Sequence, residues 1–237
     1  MKAHGILMIF AWIVCASTGI LVARYFKRTW SNRKICNKAI WFAIHRTLMA
    51  CVAVLTVISF ILILIYKQGQ WASKLHQGEY AHSIIGIIVI SFAFVQPFIA
   101  LFRCNPQDHY RFLFNYLHAF LGFTAFILSI AAIFLAMFFP HFNFQLNKEW
   151  AILVSWICWL PIIFIIFELI EIYFRKYSTS NSFQANDRNG NQQVKDETLE
   201  NENTIRKDRI KGVFLLLHII IAVGLALAMI ILIGEAK

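Results

Sequence analysis

The sequence predicts an all-α fold, a polytopic membrane bundle of six transmembrane helices. Composition and hydropathy patterning carry that prediction. Of 237 residues, 59% are hydrophobic and 14% are charged, with a mean hydropathy of +0.65. A soluble domain of this size has no core able to bury so much apolar surface. The apolar residues also fall into six runs, 4–26, 39–66, 81–102, 113–139, 150–174 and 212–234. Each reaches the ~20 residues that cross a ~30 Å hydrocarbon core at ~1.5 Å per residue. Backbone groups in lipid must be satisfied within the segment, and a helix does this.

The connections orient the runs. A net charge of +10 would suggest nucleic acid in a soluble protein, but its placement here points to a lipid membrane and excludes a nucleic-acid partner. The stretch ARYFKRTWSNRKICNK after the first run carries Arg24, Lys27, Arg28, Arg33, Lys34 and Lys38. The second connection has Lys67 and Lys74 near its ends, the third Arg103 and Arg111, and the fourth Lys148. The fifth, 175–211, is rich in both signs. Excess Lys and Arg mark cytosolic connections, so the first, third and fifth are cytosolic and both termini are non-cytosolic. The pattern does not separate plasma membrane from endomembrane.

The five cysteines form no disulfide framework. Cys15, Cys51 and Cys158 lie inside spans, and Cys36 and Cys104 fall in connections assigned to the reducing cytosol. The first run is too long for a signal peptide and its basic residues follow it, so it is read as a span. A short outer N-terminus leads to the expectation of a further region upstream of Met1. Residues 175–211 are polar and poor in aromatics and are expected to form a disordered cytosolic linker. The chain thus divides into a core at 1–174, a linker at 175–211 and a C-terminal transmembrane helix at 212–237.

Four of the eight histidines, His4, His45, His82 and His118, stand near the starts of consecutive spans. Spans alternate in direction, so His4 and His82 share a level near the outer surface. His45 and His118 share a level near the cytosol, each five or six residues inside its run. A lone intramembrane histidine can be a hydrogen-bonded core residue. Four in register on two levels are not explained by packing, and ionisable groups in spans are costly.

Two imidazoles facing each other across a bundle suit a haem iron, which takes two axial nitrogens on opposite faces. Zinc would need three or four ligands, and neither pair has a Cys or carboxylate at hand. Gly86 and Gly122 each follow a histidine by four positions, on the same helix face, and leave room for a flat ring. Gly5 adjoins His4, and Met49 takes the equivalent place after His45. His218 is expected to hydrogen-bond between helices. His76, His109 and His141 belong to connections.

The stretches KAHGILMIFAW, ARYFK, WFAIHRTLMA, QPFIALFR and RFLFNYLHAFLG resemble the cytochrome b561 family, in the form that accompanies DOMON domains. The specific motifs lie within residues 2–122. The resemblance implies a dihaem electron carrier with two haems b in a four-helix core. Its first and third histidines, here His4 and His82, would hold the outer haem, and His45 and His118 the cytosolic one. It also implies electrons taken from cytosolic ascorbate and, in the ferric reductases of the family, passed to ferric chelates. Family members of this type carry extracellular domains ahead of the first haem helix.

Two axial histidines leave no open iron position, which favours outer-sphere electron transfer over oxygenation. With each iron about 5–9 Å inside its own surface of a ~30 Å core, the irons are roughly 15–20 Å apart. Ascorbate is an anion, and Lys38, Arg46, Arg103 and Arg111 flank the cytosolic pair. They also fit plain membrane anchors. Arg46 lies inside the apolar run, where a haem propionate or the donor would compensate its charge. Asn115, three residues before His118, is a candidate for the same contact. Glu168 and Glu171 are expected to pair with interfacial Lys or Arg. In the loop KQGQWASKLHQGEY, Lys74 and His76 are candidates to receive an anionic iron chelate. Rival readings are a transporter with a histidine ion path and a haem-binding anchor subunit for a partner protein. A homodimer is left open.

Overall fold

The structure, a computed structural model, describes residues 1–30, 34–35, 37–101, 108–139, 148–185 and 190–235, with side chains except over 177–200. Cys36, Arg103, Cys104 and His141 lie outside the described residues. Six helices are long and apolar enough to cross a membrane. They are α1 (Lys2–Tyr25), α2 (Ile40–Tyr66), α3 (Gln77–Leu101), α4 (Arg111–Ala136), α5 (Lys148–Ala185) and α6 (Gly190–Glu235). Over the described residues, each predicted run lies on one of these helices and overruns its ends by at most three residues, 137–139 past α4.

α1 is the axis of the bundle. Of its most apolar stretch 61% is buried, against 11–28% for the other five spans. It packs on α2, α4 and α6, while α3 pairs with α2 and α4, and α5 with α6. The outward face of α2 carries Val54, Ile58, Ile61 and Ile65 exposed, as expected where the surrounding solvent is lipid. Midway along, α1 widens into a π-helical stretch, Phe10–Ala16. Each π turn takes up one more residue than an α turn.

Two connections have local structure that the sequence reading leaves out. Between α1 and α2, β1 (Lys34–Ile35) and β2 (Lys38–Ala39) pair antiparallel, with Asn37 in the left-handed region at φ 60°, which asparagine tolerates better than most residues. α2 ends with the Gly69 amide donating to the Leu64 carbonyl at 2.9 Å and the Gln68 amide to Ile65 at 3.0 Å. This is the paired closure of a helix terminus that needs a left-handed residue, here Gln68 at φ 51°.

The expected linker differs from the prediction. Residues 175–185 and 190–211 are helical, as extensions of α5 and α6. A polar composition denies the segment a core of its own, yet Glu, Lys and Arg are good helix formers. Where it meets the bundle, Lys207 and Lys211 donate to the two oxygens of Glu171 at 2.6 and 2.9 Å, and Lys211 also donates to the Tyr25 carbonyl at 2.6 Å. Glu168 pairs with Arg24 and accepts from the Tyr25 hydroxyl. Both glutamates therefore find cations, as expected.

His218 is fully buried and bridges three helices. The Trp159 indole donates to its Nδ1 at 3.1 Å, so Nε2 carries the proton, 3.1 Å from the Ser17 hydroxyl. That is the interhelical role expected of it.

Candidate functional site

The structure brings the four histidines together in the expected pairs. The ring centres of His4 and His82 are 6.2 Å apart, and those of His45 and His118 are 6.4 Å apart. An imidazole nitrogen lies about 1.1 Å from its ring centre and a metal–imidazole bond is about 2.0–2.1 Å, so two rings ligating one ion from opposite sides stand about 6.2–6.4 Å apart. Among the described residues no cluster of three or more His, Cys, Asp or Glu could hold a metal. The donor set fits an ion with two axial nitrogens, its other positions filled by a macrocycle.

Helix neighbours orient the rings. His82 Nδ1 is 2.9 Å from the Ala132 carbonyl, His45 Nδ1 is 3.0 Å from the Gly19 carbonyl, and His4 Nδ1 is 3.0 Å from the Ser59 carbonyl. A carbonyl only accepts, so Nδ1 holds the proton in each ring and Nε2 keeps its lone pair for a metal. The Ser59 hydroxyl adds a contact, 2.9 Å from His4 Nδ1, and donates to the His4 carbonyl at 3.0 Å. On His118, the Gln96 amide donates to the backbone carbonyl at 3.0 Å, and the Phe114 ring stacks at 5.9 Å.

These partners obey one spacing. His45 and Ser59, His82 and Gln96, and His118 and Ala132 are each 14 residues apart, close to four helical turns and about 21 Å of rise. Each helix thus presents a histidine at one level and, on the same face, supports its neighbour's histidine at the other. α1 supports α2 and α2 supports α1; α3 and α4 do the same. In α1 the spacing from His4 to Gly19 is 15, and the π-helical stretch between them absorbs the extra residue. The two levels lie about 20 Å apart, at the upper end of the expected gap.

A cavity opens beside the His4/His82 pair, lined among others by Gly5, Met8, Trp12 and Ser129. Gly86 also lines it, and a Cβ there would meet nothing within 4 Å, so the glycine leaves room as expected. Gly122 instead lies against the Gln96 amide, at 3.5 Å from where its Cβ would stand. Gly19 is a close approach: a Cβ would stand 2.4 Å from Met49 Cε, so Met49 packs on α1.

The remaining candidates divide. Arg111 lies 5.4 Å over the Phe114 ring that stacks on His118, which ties it to that pair. Arg46 is exposed, with its guanidinium 5.9 Å over the Phe42 ring. A long side chain can carry its charge out of an apolar run in this way, toward water, a propionate or the donor. Asn115 and Lys38 are exposed. Lys74 and His76 are exposed and are not among the lining of the His4/His82 cavity. Lys67, Gln70, Trp71 and Glu79 are, with Lys67 3.8 Å from Glu79. All four lie in the stretch KQGQWASKLHQGEY, where Lys67 stands out in the sequence only as a charge of the connection and the other three carry no signal of a site.

Ser59→Ala tests the positioning. The substitution keeps the backbone carbonyl and loses the hydroxyl contacts, so cofactor affinity at the His4/His82 pair should fall by about tenfold, the lower end for a ligand's supporting partner. Haem retained per chain after detergent dilution measures it. Retention equal to wild type would assign the orientation of His4 to the carbonyl alone.

A six-span bundle with imidazoles paired across a four-helix core, three of them oriented from behind by carbonyls, defines a polytopic membrane protein whose core fits a flat metal macrocycle. The sequence profile of eukaryotic cytochrome b561 matches residues 3–143. The chain belongs to that family, and membership implies b-type haem. It is 38% identical to human ferric-chelate reductase 1 over 159 residues, 67% of this chain and 26% of that protein. It is also 38% identical over 195 residues to a putative ferric-chelate reductase 1 homolog of Drosophila melanogaster, 81% of this chain and 29% of that protein. A cytochrome b561 and DOMON domain-containing protein of Arabidopsis thaliana is 29% identical over 140 residues, 56% of this chain and 30% of that protein. The chain therefore spans less than a third of the length of each of these relatives. No solved structure matches it.

Proposed function

We propose that the chain carries electrons across the membrane through two haems b, from cytosolic ascorbate to ferric chelates on the opposite side. One observation carries this reading: the same pairing geometry occurs at two levels, with ring centres 6.2 and 6.4 Å apart. A bound haem supplies one-electron redox chemistry at an iron with no free position. The chain's own residues hold and insulate. His4 and His82 would ligate at one level and His45 and His118 at the other, with the Nδ1 contacts of His4, His45 and His82 turning Nε2 of those three rings toward the iron. Ile9, Val89, Ala125 and Phe126, all buried, keep water from the interior between the levels. The excess of Lys and Arg around α1–α2 supports a cytosolic side for the His45/His118 level. Residues 1–174 form the electron-transfer core, and the C-terminal helix braces α1.

The purified protein should carry close to two haems b per chain with a low-spin visible spectrum. A colourless protein that stays so after haem supplementation would sink the proposal.

The donor side has its own test. Arg111 is joined to His118 through Phe114 and would attract an anion by long-range electrostatics. Arg111→Gln should slow reduction by ascorbate with both haems retained, and the difference from wild type should shrink as salt is raised. Stopped-flow reduction at two ionic strengths measures this. An unchanged rate would return Arg111 to the role of a membrane anchor.

A further inference from the structure

Halfway between the two histidine levels stand Val52 between His45 and Ser59, Val89 between His82 and Gln96, and Ala125 between His118 and Ala132; on α1 the midpoint of His4 and Gly19 falls between Ala11 and Trp12. All five are buried in one hydrophobic cluster, with Trp12 only 4% exposed. Four are aliphatic and small. The fifth, Trp12, is the largest π system a protein offers.

Trp12 lies in the π-helical stretch of α1 and lines the cavity beside His4 and His82. Its indole N–H is buried and has no hydrogen-bond partner among the described residues. Burying an unpaired donor is unfavourable, and a phenylalanine would fill the layer without that cost. Trp156 in the same cluster also leaves its indole N–H without a partner among the described residues; of the two, Trp12 is the one that stands on a histidine-bearing core helix and lines the cavity. The indole belongs where it does for something an aliphatic side chain cannot supply.

We infer that Trp12 is the bridge for electron transfer between the two sites. The inference rests on the two-haem reading above. One electron leaves the ferrous iron at the His45/His118 pair and arrives at the ferric iron of the His4/His82 pair. The indole couples the two through its π orbitals, is not itself oxidised, and keeps its N–H proton. Trp12 is a positioning residue for the transfer and ligates nothing.

The test compares Trp12→Phe and Trp12→Leu with the wild-type protein loaded with haem. Haem per chain and the midpoint potential of each haem are measured first, and then the rate of internal electron equilibration by pulse radiolysis. In Trp12→Leu protein that holds both haems at the wild-type potentials, the rate should fall several-fold. Trp12→Phe, which keeps an aromatic ring, should fall between it and wild type. A leucine variant with the wild-type rate overturns the inference. So does a leucine variant that sheds a haem, because Trp12 would then be a wall of the pocket. A wild-type chain with a single haem fails the underlying reading, and shows this before any variant is made.

Discussion

His45→Ala and His118→Ala should each remove the same haem and leave the other in place, so that either variant retains about half the wild-type haem. His4→Ala and His82→Ala should each remove the second haem and leave the first. The double variant His45→Ala with His118→Ala should look like either single variant, and His45→Ala with His82→Ala should be colourless. This follows from the ring pairs at 6.4 and 6.2 Å, because an axial site with one nitrogen gone loses half its coordination from the protein. Loss on this scale exceeds anything expected at the supporting residues, where affinity falls by about 10–100-fold. Pyridine haemochrome assay against protein concentration gives the stoichiometry, and the potentials of the remaining haem identify which was lost. Equivalence of His45→Ala with His82→Ala as single variants would mean that the pairs cross levels, and the bundle drawn here would be wrong.

The helices and the pairs are legible in the sequence for a physical reason. Lipid demands uninterrupted apolar runs, and a histidine inside such a run is costly enough to stand out. The depth argument for His4, His82, His45 and His118 needs only the alternation of direction. What supports the rings is far less visible. Gly19 and Ala132 act through backbone carbonyls, a group that every residue carries, so their side chains give no sign. Ser59 carries a hydroxyl, but it is one serine among several on apolar helices. The regular spacing of 14 residues becomes a signal only once the structure shows which residue faces which ring.

Position along the chain says less about charge than geometry does. Arg46 lies in an apolar run, yet its long side chain is exposed while its backbone stays in the run. Lys74 and His76 are the loop's cation and imidazole and are both exposed. The cavity is lined by Lys67 at the end of α2 and Glu79 at the start of α3. The helix over 190–211, where composition suggests a disordered linker, has a different origin. Composition speaks to whether a segment can bury a core, and α6 needs none while it continues a transmembrane helix and docks through Lys207 and Lys211.

Glu171→Ala should destabilise the bundle far more than Lys211→Met, although the two residues form one ion pair. The Lys211 side chain is 2% exposed and its ammonium has two partners, Glu171 at 2.9 Å and the Tyr25 carbonyl at 2.6 Å. Removing Glu171 leaves a buried cation with one neutral acceptor. It also leaves Lys207, which shares the same carboxylate, as an uncompensated like charge. Breaking a buried pair from one side in this way costs about 3–5 kcal/mol. Removing Lys211 instead leaves Glu171 paired with Lys207 at 2.6 Å and itself one-third exposed, and a methionine of similar length fills the space. The double variant, Glu171→Ala with Lys211→Met, should recover most of the loss, because the most deeply buried charge is gone and only Lys207, partly exposed, is left unpaired. Thermal unfolding in detergent, followed by circular dichroism, ranks the three. If Lys211→Met proved as damaging as Glu171→Ala, the bond from Lys211 to the Tyr25 carbonyl would be what fastens α6 to the end of α1. If neither variant lowered the midpoint, α6 would be held by apolar packing, and the ionic cluster would only fix its register against α5.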